Sequence, residues 1–207
     1  MTKQLYTALS SIASTTNVSG FRANKIRSSL PRLLVFTDPE RSPNLIELAS
    51  NLPRSCALVY RHFGQRQRLA IAEQLADICR KRDVVFLVGA DQKLALEVNA
   101  DGVHVPQRLI GEIPIIASTK QFRWITAAAH SSEAVKAAFF VGADAVVVSP
   151  VFTSLSKSAG RAMGYDRFSE IAKKNNGPIF ALGGITEKNI ESIHGICAGV
   201  ALVSAGV

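Results

Sequence analysis

Eight short runs rich in β-branched residues, recurring at roughly 18- to 34-residue intervals, constrain this chain more than any other feature. They begin at Leu33 (LLVFT), Cys56 (CALVY), Val84 (VVFLV), Gly102 (GVHV), Phe122 (FRWITA), Ala145 (AVVVS), Ile179 (IFAL) and Val200 (VALVS). Polar side chains hardly interrupt them, as expected of strands buried on both faces of a parallel sheet. Helix-period segments lie between. Ile71, Ala72, Leu75, Ile78 and Cys79 form one stripe over Arg68 to Lys81. Ser131 is placed to cap a helix carrying Ala134, Val135 and Ala138, and Thr186 to cap another, with Glu133 and Glu187 in their first turns. Eight βα units predict an α/β fold, a (β/α)8 TIM barrel that lacks the final helix. An open doubly wound sheet would want a glycine-rich turn after the first strand, where the chain reads Asp38-Pro39-Glu40-Arg41. Asn99 to Val103, Gly142 to Val146 and Ala198 to Val200 form an internal echo that leads into even-numbered strands, and are read as structural punctuation.

The expected organisation is a basic extension over residues 1–30, disordered or loosely docked, followed by one barrel domain over 31–207. Residues 1–32 hold five basic side chains and no acid, while the rest has 19 basic against 16 acidic residues. The lead has some organellar-targeting character but no secretory apolar stretch. A mildly basic body suits an anionic small molecule better than nucleic acid, and no run is long enough to span a membrane. The expectation is a cytoplasmic protein with a small-molecule partner, without nucleic acid or membrane, and with a homo-oligomer left open. Cys56, Cys79 and Cys197 form no CxxC pair and read as buried thiols, and no ligand spacing predicts a zinc site.

In a barrel of this kind chemistry sits on the loops after the strands. These loops carry Asp38, Arg61 and His62, then Gly89-Ala90-Asp91, Pro106-Gln107-Arg108 and Ala128-Ala129-His130. Pro150 to Lys157, Gly183-Gly184 and Ser204-Ala205-Gly206 follow the last three strands. The paired glycines, expected to open a helix, and Ser204 occupy the usual phosphate position of such barrels. Arg61 and Lys157 are the cations best placed to meet an anion, with Arg161 a weaker candidate. His130 and His62 are candidate acid–base groups.

Several of these stretches resemble the thiamine phosphate synthase family, which includes the related thiazole tautomerase. The resemblance rests on Val35-Phe36-Thr37-Asp38, Tyr60-Arg61, Ala100-Asp101-Gly102-Val103-His104, Pro150-Val151-Phe152, Lys157, Gly183-Gly184-Ile185 and Val203-Ser204-Ala205. It implies condensation of hydroxymethylpyrimidine diphosphate with thiazole phosphate, releasing pyrophosphate with Mg2+. It also implies that Arg61 and Lys157 hold the pyrophosphate, and that Ser154, Gly183, Gly184, Val203 and Ser204 form the thiazole phosphate site. The chain departs from the family pattern at Val59, Phe63, Ala128 and Gly89. Both magnesium aspartates of the family fall on Ala90 and Leu109, which leaves Asp91 as a displaced metal candidate. The histidine of the tautomerase falls on Pro150. Two further readings stay open: a binder of thiamine phosphate or a related phosphorylated heterocycle without turnover, and a tautomerase-like isomerase.

Overall fold

The structure is a computed structural model, and it describes residues 31–154 and 160–203. The strands are β1 (Leu33–Phe36), β2 (Ala57–Tyr60), β3 (Val85–Gly89), β4 (Gly102–Val105), β5 (Trp124–Ala129), β6 (Ala145–Val148), β7 (Ile179–Leu182) and β8 (Gly199–Val203). All neighbours pair in parallel and in sequence order, and β8 returns to β1 with Leu33 opposite Val200 and Phe36 opposite Val203. The cylinder is closed, so no strand edge is left exposed. The helices are α1 (Leu45–Asn51), α2 (Arg68–Arg82), α3 (Gln92–Glu97), α4 (Ile113–Ser118), α5 (Ser132–Phe140) and α6 (Tyr165–Lys174), with 3-10 turns at Gln107–Glu112 and Ile190–Ile193. No described helix is long and apolar enough to cross a membrane.

Two apolar layers follow from the two-residue period of a strand. Leu34, Phe36, Val59, Leu87, Trp124 and Phe180 fill the barrel interior. Their alternates, among them Val35, Leu58, Tyr60, Phe86 and Val146, pack outward with the helices. Bulk inside is balanced by absence of bulk: at Gly102, which pairs with Trp124, a Cβ would strike the Trp124 carbonyl. The three cysteines are buried and free, and burial pushes their thiols up to about 12, 12 and 11 at Cys56, Cys79 and Cys197.

Local signals account for several helix ends. In α2 the residues that bury are Ala72, Leu75, Ala76 and Cys79, one stripe facing the sheet, while Ile71 and Ile78 flank it. The helix stops where Asp83 turns left-handed at φ 57°. The Ala134 N–H donates to Ser131 Oγ at 3.2 Å and starts α5 as the cap chemistry predicts. The internal echo has a physical basis. Asp101 Oδ2 accepts from the Phe86 N–H of β3 at 2.8 Å, and Asp144 Oδ2 accepts from the Ile125 N–H of β5 at 2.7 Å. Each aspartate therefore pins an incoming αβ turn to the strand before it.

One expectation is corrected. Thr186 does not cap an α-helix, and Gly183-Gly184 do not open one. The Asn189 side chain accepts from the Thr186 N–H at 2.8 Å and donates to the Gly184 carbonyl at 2.8 Å, which folds the segment into a loop. Only Ile190 and Ile193 bury, at a spacing that anchors a single 3-10 turn.

Candidate active site

A cavity of about 1170 Å³ lies at the C-terminal end of the barrel. Continuing the inward period beyond each strand end gives its lining. Phe36 leads to Asp38, Val59 to Arg61, Val147 to Ser149, Phe180 to Leu182 and Gly184, and Ala201 to Val203. Five separate loops and strand ends thus converge at one mouth.

Arg61 is held firmly. Its backbone N–H donates to Thr37 Oγ1 at 2.9 Å, and its Nε donates to the Thr37 carbonyl at 3.1 Å. The guanidinium lies 5.1 Å from the centroid of the Phe36 ring, with Nη2 3.8 Å from Asp38 Oδ2. Desolvation pulls its pKa below the ordinary arginine value, Asp38 opposes that, and the nearby positive charge of Arg41 adds to it. An arginine so placed remains charged and carries a preset fork for phosphate oxygens.

His130 also reaches the cavity. Its backbone N–H donates to Gln107 Oε1 at 2.7 Å, and its ring Nδ1 lies 2.7 Å from the Ser149 carbonyl oxygen. A carbonyl can only accept, so that contact places a proton on Nδ1 and leaves Nε2 as the other ring nitrogen. His62 lies on the other face. It is 3% exposed and stacks on Tyr60 at 5.5 Å, among the outward-facing residues, and it does not line the cavity. Burial lowers its pKa, against the opposing effects of Gln65 and Asp38.

Gly183, Gly184, Ser154 and Val203 border the same space. Gly183 and Gly184 have φ of +99° and +64°, and a Cβ on Gly184 would come within 2.6 Å of the Phe152 carbonyl oxygen and collide with that of Thr153. Glycine is required there by backbone conformation and by close packing against the loop after β6. Lys157 and Ser204 lie outside the described residues. Arg161 lines the cavity, joined by two arginines that the sequence reading did not single out, Arg41 and Arg167. Signals for both exist. Arg41 sits three residues beyond Asp38 in the same loop, and Arg167 is in the first turn of α6, within the longest inter-strand interval.

The loops after β3 and β4 contribute nothing to this lining. Asp91 is engaged structurally: Oδ1 accepts from the Leu94 N–H at 3.0 Å, which caps α3, and Oδ2 is ion-paired with Arg68. Arg68 also contacts the Gly89 carbonyl at 3.5 Å and spans the Tyr60 and Phe63 rings at 5.8 and 5.3 Å. Ala90 is left-handed at φ +55°, and Leu109 packs half-buried against the core. Asp38 is the single carboxylate lining the cavity among the described residues, and they contain no group of three histidine, cysteine or carboxylate side chains able to hold a metal. Magnesium is held by carboxylates and phosphates, so one carboxylate facing four guanidinium groups is a poor donor set for it. The residues present do not fit Mg2+.

Comparison with known proteins places the chain in a family. The thiamine monophosphate synthase family matches residues 36–205. A thiamine-phosphate synthase of Prochlorococcus marinus is 36% identical over 130 residues, covering 61% of this chain but 37% of its own length. One from Methanococcus maripaludis is 33% identical over 181 residues, covering 84% of this chain and 86% of the relative. The solved thiamine phosphate pyrophosphorylase of Pyrococcus furiosus superposes with a TM-score of 0.74 at 26% identity, covering 87% of this chain and 88% of that one. The match runs from the last residue of β1 to just beyond β8, so it takes in seven whole strands and the C-terminal strand ends that form the mouth: the chain belongs to the thiamine monophosphate synthase family.

Proposed function

We propose that this chain makes thiamine phosphate in the cytoplasm, joining hydroxymethylpyrimidine diphosphate to thiazole phosphate. In that reaction the bond between the pyrimidine methylene carbon and the diphosphate oxygen breaks, and pyrophosphate leaves with the electron pair. The thiazole ring nitrogen donates its lone pair to the same carbon. The barrier lies in charge separation, so stabilising the departing anion is the main task of the site. The observation that carries the reading is the mouth itself. Arg61, braced by Thr37, faces a glycine-lined wall at Gly183 and Gly184 across one cavity.

In this reading Arg61 meets the leaving pyrophosphate, together with Lys157. The thiazole phosphate lies against Gly183, Gly184 and Val203, with hydroxyl donors from Ser154 and Ser204. The φ of +64° at Gly184 supports this, because backbone without a Cβ lets an anion come close. His130 exchanges protons at the mouth through Nε2, with its ring oriented by Ser149. His62, turned to the outer layer, has no part in it.

The direct test supplies both precursors to the purified chain and follows thiamine phosphate by chromatography. Product is expected to accumulate in proportion to enzyme, and Arg61→Ala should lower turnover at least about a hundredfold. Absence of product at enzyme concentrations equal to substrate would overturn the assignment.

A further inference from the structure

The charges around the cavity are unequal. Arg41, Arg61, Arg161 and Arg167 line it, with Asp38 alone of opposite sign among the described residues. Asp38 stands beside Arg61. Arg41, Arg161 and Arg167 make no direct ion pair with a described carboxylate, Arg167 acting only at longer range on Glu133 and Glu170; the described pairs are Arg61–Asp38, Arg68–Asp91, Arg80–Asp77 and Lys174–Glu170. The three come from two sides of the mouth, Arg41 from the loop after β1 and the other two from the segment between β6 and the first turn of α6. Arg41 is close enough to Arg61 to perturb its titration. The like charges of Arg41 and Arg61 repel one another, and an anion bound at the mouth relieves that cost.

The opposite rim supports the same conclusion. The carboxylate nearest to a metal-binding role, Asp91, is tied to Arg68 and to the N-terminus of α3. A divalent cation would enter a site rich in guanidinium with Asp38 as its one carboxylate among the described residues. A diphosphate meets the reverse situation.

We propose that the cavity binds the diphosphate group without a divalent cation, with Arg41, Arg161 and Arg167 supplying the positive charge that a metal would otherwise bring. The chemical balance is adequate. A magnesium ion offsets two charges of a diphosphate, and three guanidinium groups offset three while donating forked hydrogen bonds to its oxygens. Arginine holds its proton across the physiological range, so this compensation does not depend on pH or on metal supply. Arg161 and Arg167 are exposed, so binding should weaken as salt rises. The identity of the anion rests on the synthase reading, whereas its metal independence rests on the lining residues.

The test is calorimetric titration of inorganic pyrophosphate into the full chain, once with excess EDTA and once with millimolar magnesium. Binding in EDTA is expected to be at least as tight as with magnesium. Arg41→Gln and Arg167→Gln should each weaken it about tenfold in EDTA, and Arg167→Lys should weaken it less, since the charge remains but the fork is lost. Unchanged thermal midpoints would show that the variants are folded. Binding that appears only with magnesium overturns the proposal, as does full affinity in both glutamine variants. Turnover measured in parallel separates the two claims. Turnover that requires magnesium sinks metal independence and leaves the synthase. Pyrophosphate bound in EDTA with no turnover in either buffer sinks the synthase and leaves metal independence.

Discussion

At Gly184 the backbone conformation and the proposed phosphate site make the same demand. With φ at +64° and the Thr153 and Phe152 carbonyls packed where a Cβ would go, Gly184→Ala should cost about 1–3 kcal/mol in urea unfolding and abolish thiazole phosphate binding. His104 answers a different question, that of pH. It is buried inside the barrel with Nδ1 2.9 Å from Thr126 Oγ1, and burial pushes its pKa down to about 3, helped by the positive charge of Arg61. The folded state thus binds its proton more weakly than the unfolded chain, whose histidine titrates near 6.5. Its contribution is complete above pH 6.5 and is lost as pH falls toward 3, at up to about 1.4 kcal/mol per pH unit. Denaturation across pH 4 to 7 should show that slope in the wild type, and His104→Gln should flatten it.

At the scale of elements, caps and loop partners decide what the strand pattern leaves open. The eight strands and the Ser131 cap were legible because each depends on residues within a few positions. The segment after β7 was not, because the Asn189 amide competes for the donor and acceptor that a Thr186-capped helix would have used. Asp91 shows the same local chemistry deciding a role. As cap of α3 and partner of Arg68 it belongs to the framework. Asp91→Ala should lower stability by about 1–2 kcal/mol in chemical denaturation while leaving the magnesium response of pyrophosphate binding unchanged. A drop in pyrophosphate affinity on substitution that appears with magnesium but not in EDTA would restore the metal role.

For the whole molecule, closure is the governing fact. β1 has two partners, β2 and β8, and they lie far apart in sequence. Removing the chain from Gly199 onward would leave β1 and β7 each with an open edge and expose the interior around Phe180 and Leu34. Such a truncation should lose near-ultraviolet circular dichroism and bind hydrophobic dyes, as chains with unfilled cores do. A truncated chain that unfolds with wild-type cooperativity would contradict closure. The cavity depends on the same property, because its lining comes from both ends of the chain, Asp38 and Val203 among them.

The structure turns His62, a candidate beside Arg61, to the outer layer. The sequence by itself determined the eight strands, their parallel order and the strand ends that carry Arg61, Gly184 and Val203 to the mouth. These are short-range matters, settled by the alternation of a pleated backbone and by chain connectivity. Only the tertiary structure decided that Arg41 and Arg167 join Arg61 and Arg161, and that Arg68 takes Asp91 out of reach of any metal. A charge is defined by its neighbours in space. The elements that bring those neighbours together are separated along the chain by whole βα units, so no local pattern records the meeting.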